Sequence, residues 1–261
     1  MTAADKALDT DAAMFALGNE TFELLGATFV RNRASYDIYD ANHVQKARPQ
    51  TPGEIEEFLA VVEREYAHCR HRRFDADYRT PPEFTARLAL EGYEREDTLM
   101  LYLEGELIGT APAVDIRPVE TDADWKAYWE LELQDFREHM KRIKRNVKDD
   151  VPRRMFHVKR GKQPPVQNFL AYIKEKPVAY FNSWAGIDGV GQVEDLFTLP
   201  KFRNRGIAKA LIHHCVADAR AKGAGPVVIA SDPTDTPKLI YAGMGFRPVA
   251  IHTKYTKRLG G

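Results

Sequence analysis

Six consecutive residues, Arg203-Asn204-Arg205-Gly206-Ile207-Ala208, are the part of this 261-residue chain best suited to hold an anion. They follow the strand-like run Val193 to Pro200 and open a helical pattern of Ile207, Ala210, Leu211, His214 and Cys215. A strand therefore runs into a basic turn, and the turn into a helix N-terminus. N–H groups of a first helical turn lack intrahelical partners, and the helix dipole adds partial positive charge. Gly206 lets the backbone come close to a ligand, and small Ala208 keeps the entry open. Arg203 and Arg205 add charge that does not titrate. No Gly-Lys-Ser/Thr follows, and the three-glycine dinucleotide fingerprint is absent, so the loop is of neither of those phosphate-binding types.

Two further positions can carry proton chemistry. Tyr241 has a phenol that, with an ordinary pKa of about 10, stays protonated at neutral pH and can donate. A core tyrosine would fit the same apolar helix face. Glu194 and Asp195 are neighbours on a strand, so their side chains point to opposite faces. One of them, with Glu194 preferred, faces a cleft as a base, and the other caps or meets solvent.

The elements that must position these groups are readable on both sides. Downstream, Gly223 to Pro226 is a break, and Val227 to Ala230 reads as a buried strand. Asp232-Pro233-Thr234 has the form of a helix cap. The helix carrying Leu239, Ile240 and Tyr241 ends at Gly243-Met244-Gly245, and Phe246 to Tyr255 is a final strand. Upstream, Ala113 to Arg117 is a strand and Thr121 to Met140 a long helix whose Trp125, Tyr128, Trp129 and Phe136 supply core. Lys141 to Arg145 is a basic helix end, and Arg153 to Lys162 is basic too. Phe169 to Ile173 and Val178 to Asn182 form a hairpin, and Asp188-Gly189 turns the chain into the strand of Glu194.

Arg203, Gly206 and Ala208 match the Arg/Gln-x-x-Gly-x-Gly/Ala signature of the GNAT superfamily of N-acetyltransferases. Tyr241-Ala-Gly-Met-Gly-Phe246 resembles its Tyr-x-x-x-Gly-Phe element, in the right order and spacing. The resemblance spans roughly residues 113–258. It implies an α/β (α+β) fold with a mixed, mostly antiparallel sheet flanked by helices, and acetyl-CoA as co-substrate without a metal. The acetyl group passes directly to a primary amine of a small molecule or peptide. On this resemblance the amides of Gly206, Ile207 and Ala208, with Arg203, Asn204 and Arg205, hold the pyrophosphate. Leu196, Phe197 and Thr198 hold the pantetheine and carbonyl, and Tyr241 protonates the leaving thiolate. Glu194 takes the amine proton. Thr234 stands where the family often has Asn, and its hydroxyl can bond the pantetheine or cap a helix. A non-catalytic acyl-CoA-binding or regulatory module on the same fold is the alternative.

A second copy is legible in the first half. Moving Gln50 onto Arg203, an offset of 153, also brings Gly53 onto Gly206, Gly92 onto Gly245 and Tyr93 onto Phe246 without a gap. The helix signals at Thr51-Pro52 and Pro82, and the strands Arg72 to Ala76 and Thr98 to Leu103, follow the same order. The expected organisation is two GNAT-like modules in tandem: 1–110 degenerate and without a cofactor site, 111–261 catalytic. In the first copy Pro52 and Glu56 replace Arg205 and Lys209, and Leu88 replaces Tyr241. The chain would be a monomeric pseudo-dimer or form a homodimer.

Thirty-eight basic and 38 acidic residues balance, which argues against nucleic acid as the main partner. No apolar run is long enough to span a membrane and the N-terminus lacks a signal core, so a cytoplasmic protein is expected. Cys69 and Cys215, both in helical patterns, read as buried thiols. His213 and His214 point about 100° apart on a helix. His68 and His71 are close enough on one but lack further ligands, so no metal site is expected.

Overall fold

The computed structural model describes residues 1–144 and 150–260, so Arg145 of the basic helix end lies outside the described residues. Contacts group the chain into two compact units. One comprises Met1–Leu101, Ala230–Lys238 and Pro248–Gly261, the other Tyr102–Ile229 and Leu239–Arg247.

The first unit contains α1 (Ala3–Ala16), β1 (Glu20–Leu24), β2 (Ala27–Arg31), β3 (His43–Gln45), α2 (Pro52–Glu65), β4 (His71–Ala76), α3 (Pro82–Leu90) and most of β5 (Glu94–Leu103). The second contains β6 (Asp115–Pro118), α4 (Asp122–Arg142), α5 (Val151–Arg160), β7 (Gln167–Ile173), β8 (Lys176–Ile187), β9 (Val190–Thr198), α6 (Ile207–Ala221) and most of β10 (Val227–Ser231) and α7 (Pro237–Gly243). The last strand, β11 (Arg247–Arg258), belongs to the first unit from Pro248 on.

Local chemistry accounts for the helix starts. Thr51 and Thr121 each accept the backbone N–H three residues on, while Glu54 and Asp124 reach back to the cap N–H. Such boxes satisfy two of the orphan donors of a helix end. Pro52 at the first helical position needs no N–H. The closing geometry repeats as well: Tyr93 N donates to Leu88 O at 3.1 Å, and Phe246 N to Tyr241 O at 3.1 Å, each across a left-handed glycine, Gly92 and Gly245. Offset by 153, α2 falls on 205–218 against 207–221 for α6, and α3 on 235–243 against 237–243 for α7.

In the first unit the strand order is β1-β2-β3-β4-β11-β5. Strands β3 and β4 run parallel, with Val44 opposite Phe74, and β11 is antiparallel to β4, with Tyr255 opposite Phe74. The core is a run of rings, Phe29, Phe58, Phe74 and Phe84, each no more than 1% exposed. The final strand completes a sheet with β4, its hydrogen-bonding edge satisfied by strand pairing far away in sequence. In the second unit the order is β10-β9-β8-β7-β6, antiparallel except where β10 runs parallel to β9. Helices α4 and α6 pack on β8, and the ring of Tyr128 of α4 lies tilted against that of Tyr180 of β8 at 4.6 Å between centroids. Among the described residues no helix is long and apolar enough to cross a membrane.

Two readings need correction. Helix α2 ends at Glu65, so Cys69 lies in a turn and His68 and His71 do not share a helix. Both histidines instead bond Asn42, through its side chain and its carbonyl respectively. Cys69 and Cys215 are free and buried.

Candidate functional site

Strand β9 is distorted where the site residues fall. Tyr180 pairs with Phe197 but Asn182 with Glu194, so β9 carries one more residue than β8 across this stretch. The extra residue is a bulge, and Asp195 sits at φ +64° within it. Parallel pairing to β10 covers only Gly191 to Val193, opposite Val227 to Ile229. Glu194 to Thr198 continue without a β10 register partner, leaving one edge of that strand for another hydrogen-bonding group. Leu196 is half-buried, and Phe197 and Thr198 are buried. The Thr198 hydroxyl is itself buried and has no hydrogen-bond partner among the described residues.

The chain then turns through Pro200–Phe202 into the basic loop. Asn204 and Gly206 adopt left-handed backbone angles, φ +61° and +78°. Gly206 is the N-cap of α6, and no side chain caps that end. The N–H groups of Ile207, Ala208 and Lys209 are therefore the orphan donors of the first turn. A Cβ on Gly206 would lie 2.6 Å from Cγ of Pro112. Arg203 donates through Nε to the Thr198 carbonyl at 2.9 Å and pairs with Glu138 at 2.8 Å. Both side chains of that pair are more than 40% exposed, so the pair is weak and easily exchanged. Arg205 reaches the Lys201 carbonyl at 3.2 Å.

Tyr241 occupies the last turn of α7 and is 5% exposed, its ring against Phe246. Thr234 bonds locally. Helix α7 starts at Pro237, so Asp232-Pro233-Thr234 does not cap it. The Asp232 carboxylate instead accepts from Thr234 N at 2.7 Å and from its hydroxyl at 2.6 Å, a closed local turn in the first unit.

The adjacent carboxylates differ in their partners. Glu194 accepts from Gln192 Nε2 at 3.2 Å. Asp195, read from sequence as a capping or solvent-facing group, accepts from Asn182 and meets Lys159 Nζ at 3.2 Å. Lys159, on α5, also meets Glu132 of α4 at 3.0 Å, and Tyr180 donates to Asp135 at 2.8 Å. Burial works against the Lys159 charge, but Asp195 and Glu132 outweigh it and hold its pKa well above the ordinary lysine value. Burial pushes Glu132 and Asp135 upward; Lys159 offsets part of this at Glu132, and the Tyr180 hydrogen bond part of it at Asp135. Sequence reasoning missed Glu132, Asp135, Lys159 and Tyr180. A signal existed in α4, where Glu132 and Asp135 share a helix face with buried Tyr128 and Leu131. Carboxylates inside an apolar stripe mark a buried polar function or a partner.

Two concavities adjoin α4. One of about 430 Å³ lies against Leu131, Gln134, Lys176 and Leu199–Lys201. The other, about 160 Å³, lies between α4 and α5 and includes Glu132, Asp135 and Lys159 in its walls. Among the described residues no group of His, Cys, Asp and Glu is arranged to hold a metal.

Residues 125–246 match the acetyltransferase (GNAT) family model. A search of the curated proteins finds no match. Among solved structures, a functionally unknown conserved protein from Staphylococcus epidermidis superposes with a TM-score of 0.71 at 13% identity, covering 92% of this chain and 94% of that one. A GCN5-related N-acetyltransferase from Kribbella flavida gives 0.69 at 18% identity over 99% and 96%. A tandem GNAT protein from the clavulanic acid biosynthesis pathway gives 0.58 at 14% over 80% and 71%. At these identities the likeness is one of fold.

Proposed function

We propose that this chain, whose residues 125–246 match the acetyltransferase (GNAT) family model, is an acetyl-CoA-dependent N-acetyltransferase acting on a primary amine. The observation that carries this reading is the uncapped N-terminus of α6, reached by a short turn from a β9 edge that β10 leaves unpaired beyond Val193. Acetyl-CoA would supply an activated thioester carbonyl. The chain's own groups fit its parts: first-turn amides at Ile207–Lys209 with Arg203 and Arg205 suit a pyrophosphate. The Leu196–Thr198 backbone and the unpartnered Thr198 hydroxyl suit the amides of the pantetheine arm. As the new N–C bond forms and the C–S bond breaks, the amine gives up one proton and sulfur gains one. Glu194 accepts the first, directly or through water, and Tyr241 donates the second. Holding amine and thioester together can itself contribute several kcal/mol.

The first unit serves as a degenerate copy without this site. Its equivalent helix start is already filled: Glu54 Oε2 accepts from Gln50 N at 2.8 Å and Thr51 N at 3.1 Å, placing a carboxylate where an anion would bind. Pairing of β3 with β4 continues through Gln45 and Asp75, and Leu88 replaces the tyrosine.

The test is thiol release from acetyl-CoA across a panel of amines, beside calorimetric binding of acetyl-CoA. Amine-dependent thiol release supports an enzyme. Binding without release from any amine supports a non-catalytic acyl-CoA module, and absence of binding removes both.

A further inference from the structure

The small cavity between α4 and α5 is built for charge that the protein itself does not supply. Glu132 is 6% exposed and lines it. One of its oxygens binds Lys159, while the other is buried without a hydrogen-bond partner among the described residues. Buried carboxylate oxygens in native folds are almost always satisfied, so this one calls for a donor. Asp135 lines the same cavity and accepts from the Tyr180 hydroxyl. Glu132, Asp135 and Asp195 are three carboxylates around one ammonium, Lys159, which is held between the first and the third. His139, the other titratable lining residue, is exposed and lies 3.3 Å from Arg142. The remaining wall, Phe136, Pro152 and Met155, is apolar. An ammonium at the end of a short methylene chain meets both demands: its N–H groups satisfy the carboxylates and its stem packs on the apolar wall.

We propose that this cavity holds the second, non-reacting ammonium of a diamine-class acceptor, with Glu132 and Asp135 as its hydrogen-bond acceptors. The inference rests on the acetyltransferase reading for the fate of the other amine. A nitrogen that attacks a thioester must be neutral, whereas this cavity selects a charged one, so the two must be different atoms of one molecule. Asp195 ties the cavity, through Lys159, to the β9 bulge beside Glu194. Burial raises the pKa of Glu132 and of Asp135 from its ordinary value, the condition of carboxylates short of positive charge. An anionic or uncharged acceptor gains nothing from this arrangement.

The probes are 1,4-diaminobutane and n-butylamine, matched in carbon count, titrated into the full chain by calorimetry without acetyl-CoA. The diamine is expected to bind at least tenfold more tightly. Asp135→Asn, near-isosteric and still able to accept from the Tyr180 hydroxyl, is expected to reduce diamine affinity at least tenfold with a melting temperature close to the parent; Glu132→Gln is expected to reduce it as far but with a lowered melting temperature, because it leaves Lys159 paired with Asp195 alone. Equal affinities for the two probes in the parent protein overturn the site whatever the variants do. So does a diamine preference that survives both substitutions. Failure of the enzyme reading looks different. Diamine binding without thiol release keeps the site and removes the transferase, whereas thiol release from monoamine and diamine at equal kcat/KM keeps the transferase and removes the site.

Discussion

Replacing Gly206 with alanine should abolish tight acetyl-CoA binding, and the structure gives the size of the effect. Gly206 sits at φ +78°, where a Cβ costs about 1–2 kcal/mol. The added carbon would lie 2.6 Å from Cγ of Pro112, part of a ring that cannot rotate away. Overpacking of this kind costs about 1–3 kcal/mol. At about 2–4 °C per kcal/mol for a chain of this size, the melting temperature should fall on the order of 10 °C. The backbone shift that relieves the clash also moves the first-turn amides of α6. Each charge-assisted hydrogen bond lost is worth about 1.5–3 kcal/mol, or roughly 10–100-fold in affinity. Gly53→Ala is the matched control: Gly53 lies inside α2, a Cβ there meets nothing within 4 Å, and alanine should stabilise by about 0.5–1 kcal/mol with affinity unchanged. Adding Pro112→Ala to Gly206→Ala separates stability from binding, since it should recover part of the melting temperature and little of the affinity. Calorimetry with acetyl-CoA and a thermal melt on the same samples are the assays. A folded Gly206→Ala protein that binds as tightly as the parent, or equal loss from Gly53→Ala, would refute the anion-loop reasoning.

Arg203→Ala combined with Arg205→Ala should weaken acetyl-CoA binding by tenfold or more at low ionic strength, the gap narrowing in high salt because the contact is charge to charge. Unchanged affinity in the double variant at low salt would remove both arginines from the site. Tyr241→Phe should lower kcat by about 10²–10⁴-fold with the acetyl-CoA dissociation constant nearly constant; full rate with a lowered melting temperature would make Tyr241 a packing residue only. His252 lies in the first unit between Asp11, at 2.8 Å, and Asp75, at 3.3 Å. Burial opposes its charge, but Asp75 and the hydrogen bonds to both carboxylates raise its pKa from 6.5 to about 9. Its stabilisation is therefore complete below the unfolded value of 6.5 and is lost as pH rises through about 9, on the order of 3 kcal/mol in all. Melts from pH 6 to pH 10 should fall more steeply for the parent than for His252→Gln, and parallel curves would contradict this.

Features set by hydrogen bonds between near neighbours were legible in the residues alone. The helix starts at Thr51 and Thr121 rest on capping boxes that span three positions, and the closure at Tyr241 to Phe246 spans five. Gly206 at a strand-to-helix turn marked a place where the backbone needs a glycine's freedom, and it takes a left-handed angle there; the offset of 153 finds a glycine at the matching place in the first half. Thr234 shows the limit of such reading: its cap reading fails, because α7 starts at Pro237 and the hydroxyl donates to Asp232 instead.

Tertiary structure decided what local spacing cannot encode. Lys159 looked like one more cation in a basic stretch, and only the packing of α5 against α4 brings it to Glu132, 27 positions away, and to Asp195. The bulge at Asp195 depends on β8 offering one residue fewer across the ladder, a property of the pair rather than of either strand. The partner of β11 is likewise a matter of which edge remains open, and β4 lies nearly 180 positions upstream. Backbone edges and buried charges must find partners somewhere, but their chemistry does not say where in sequence those partners lie. The residue types of the anion loop were therefore a property of the sequence, and the charge lining the cavity between α4 and α5 a property of the fold.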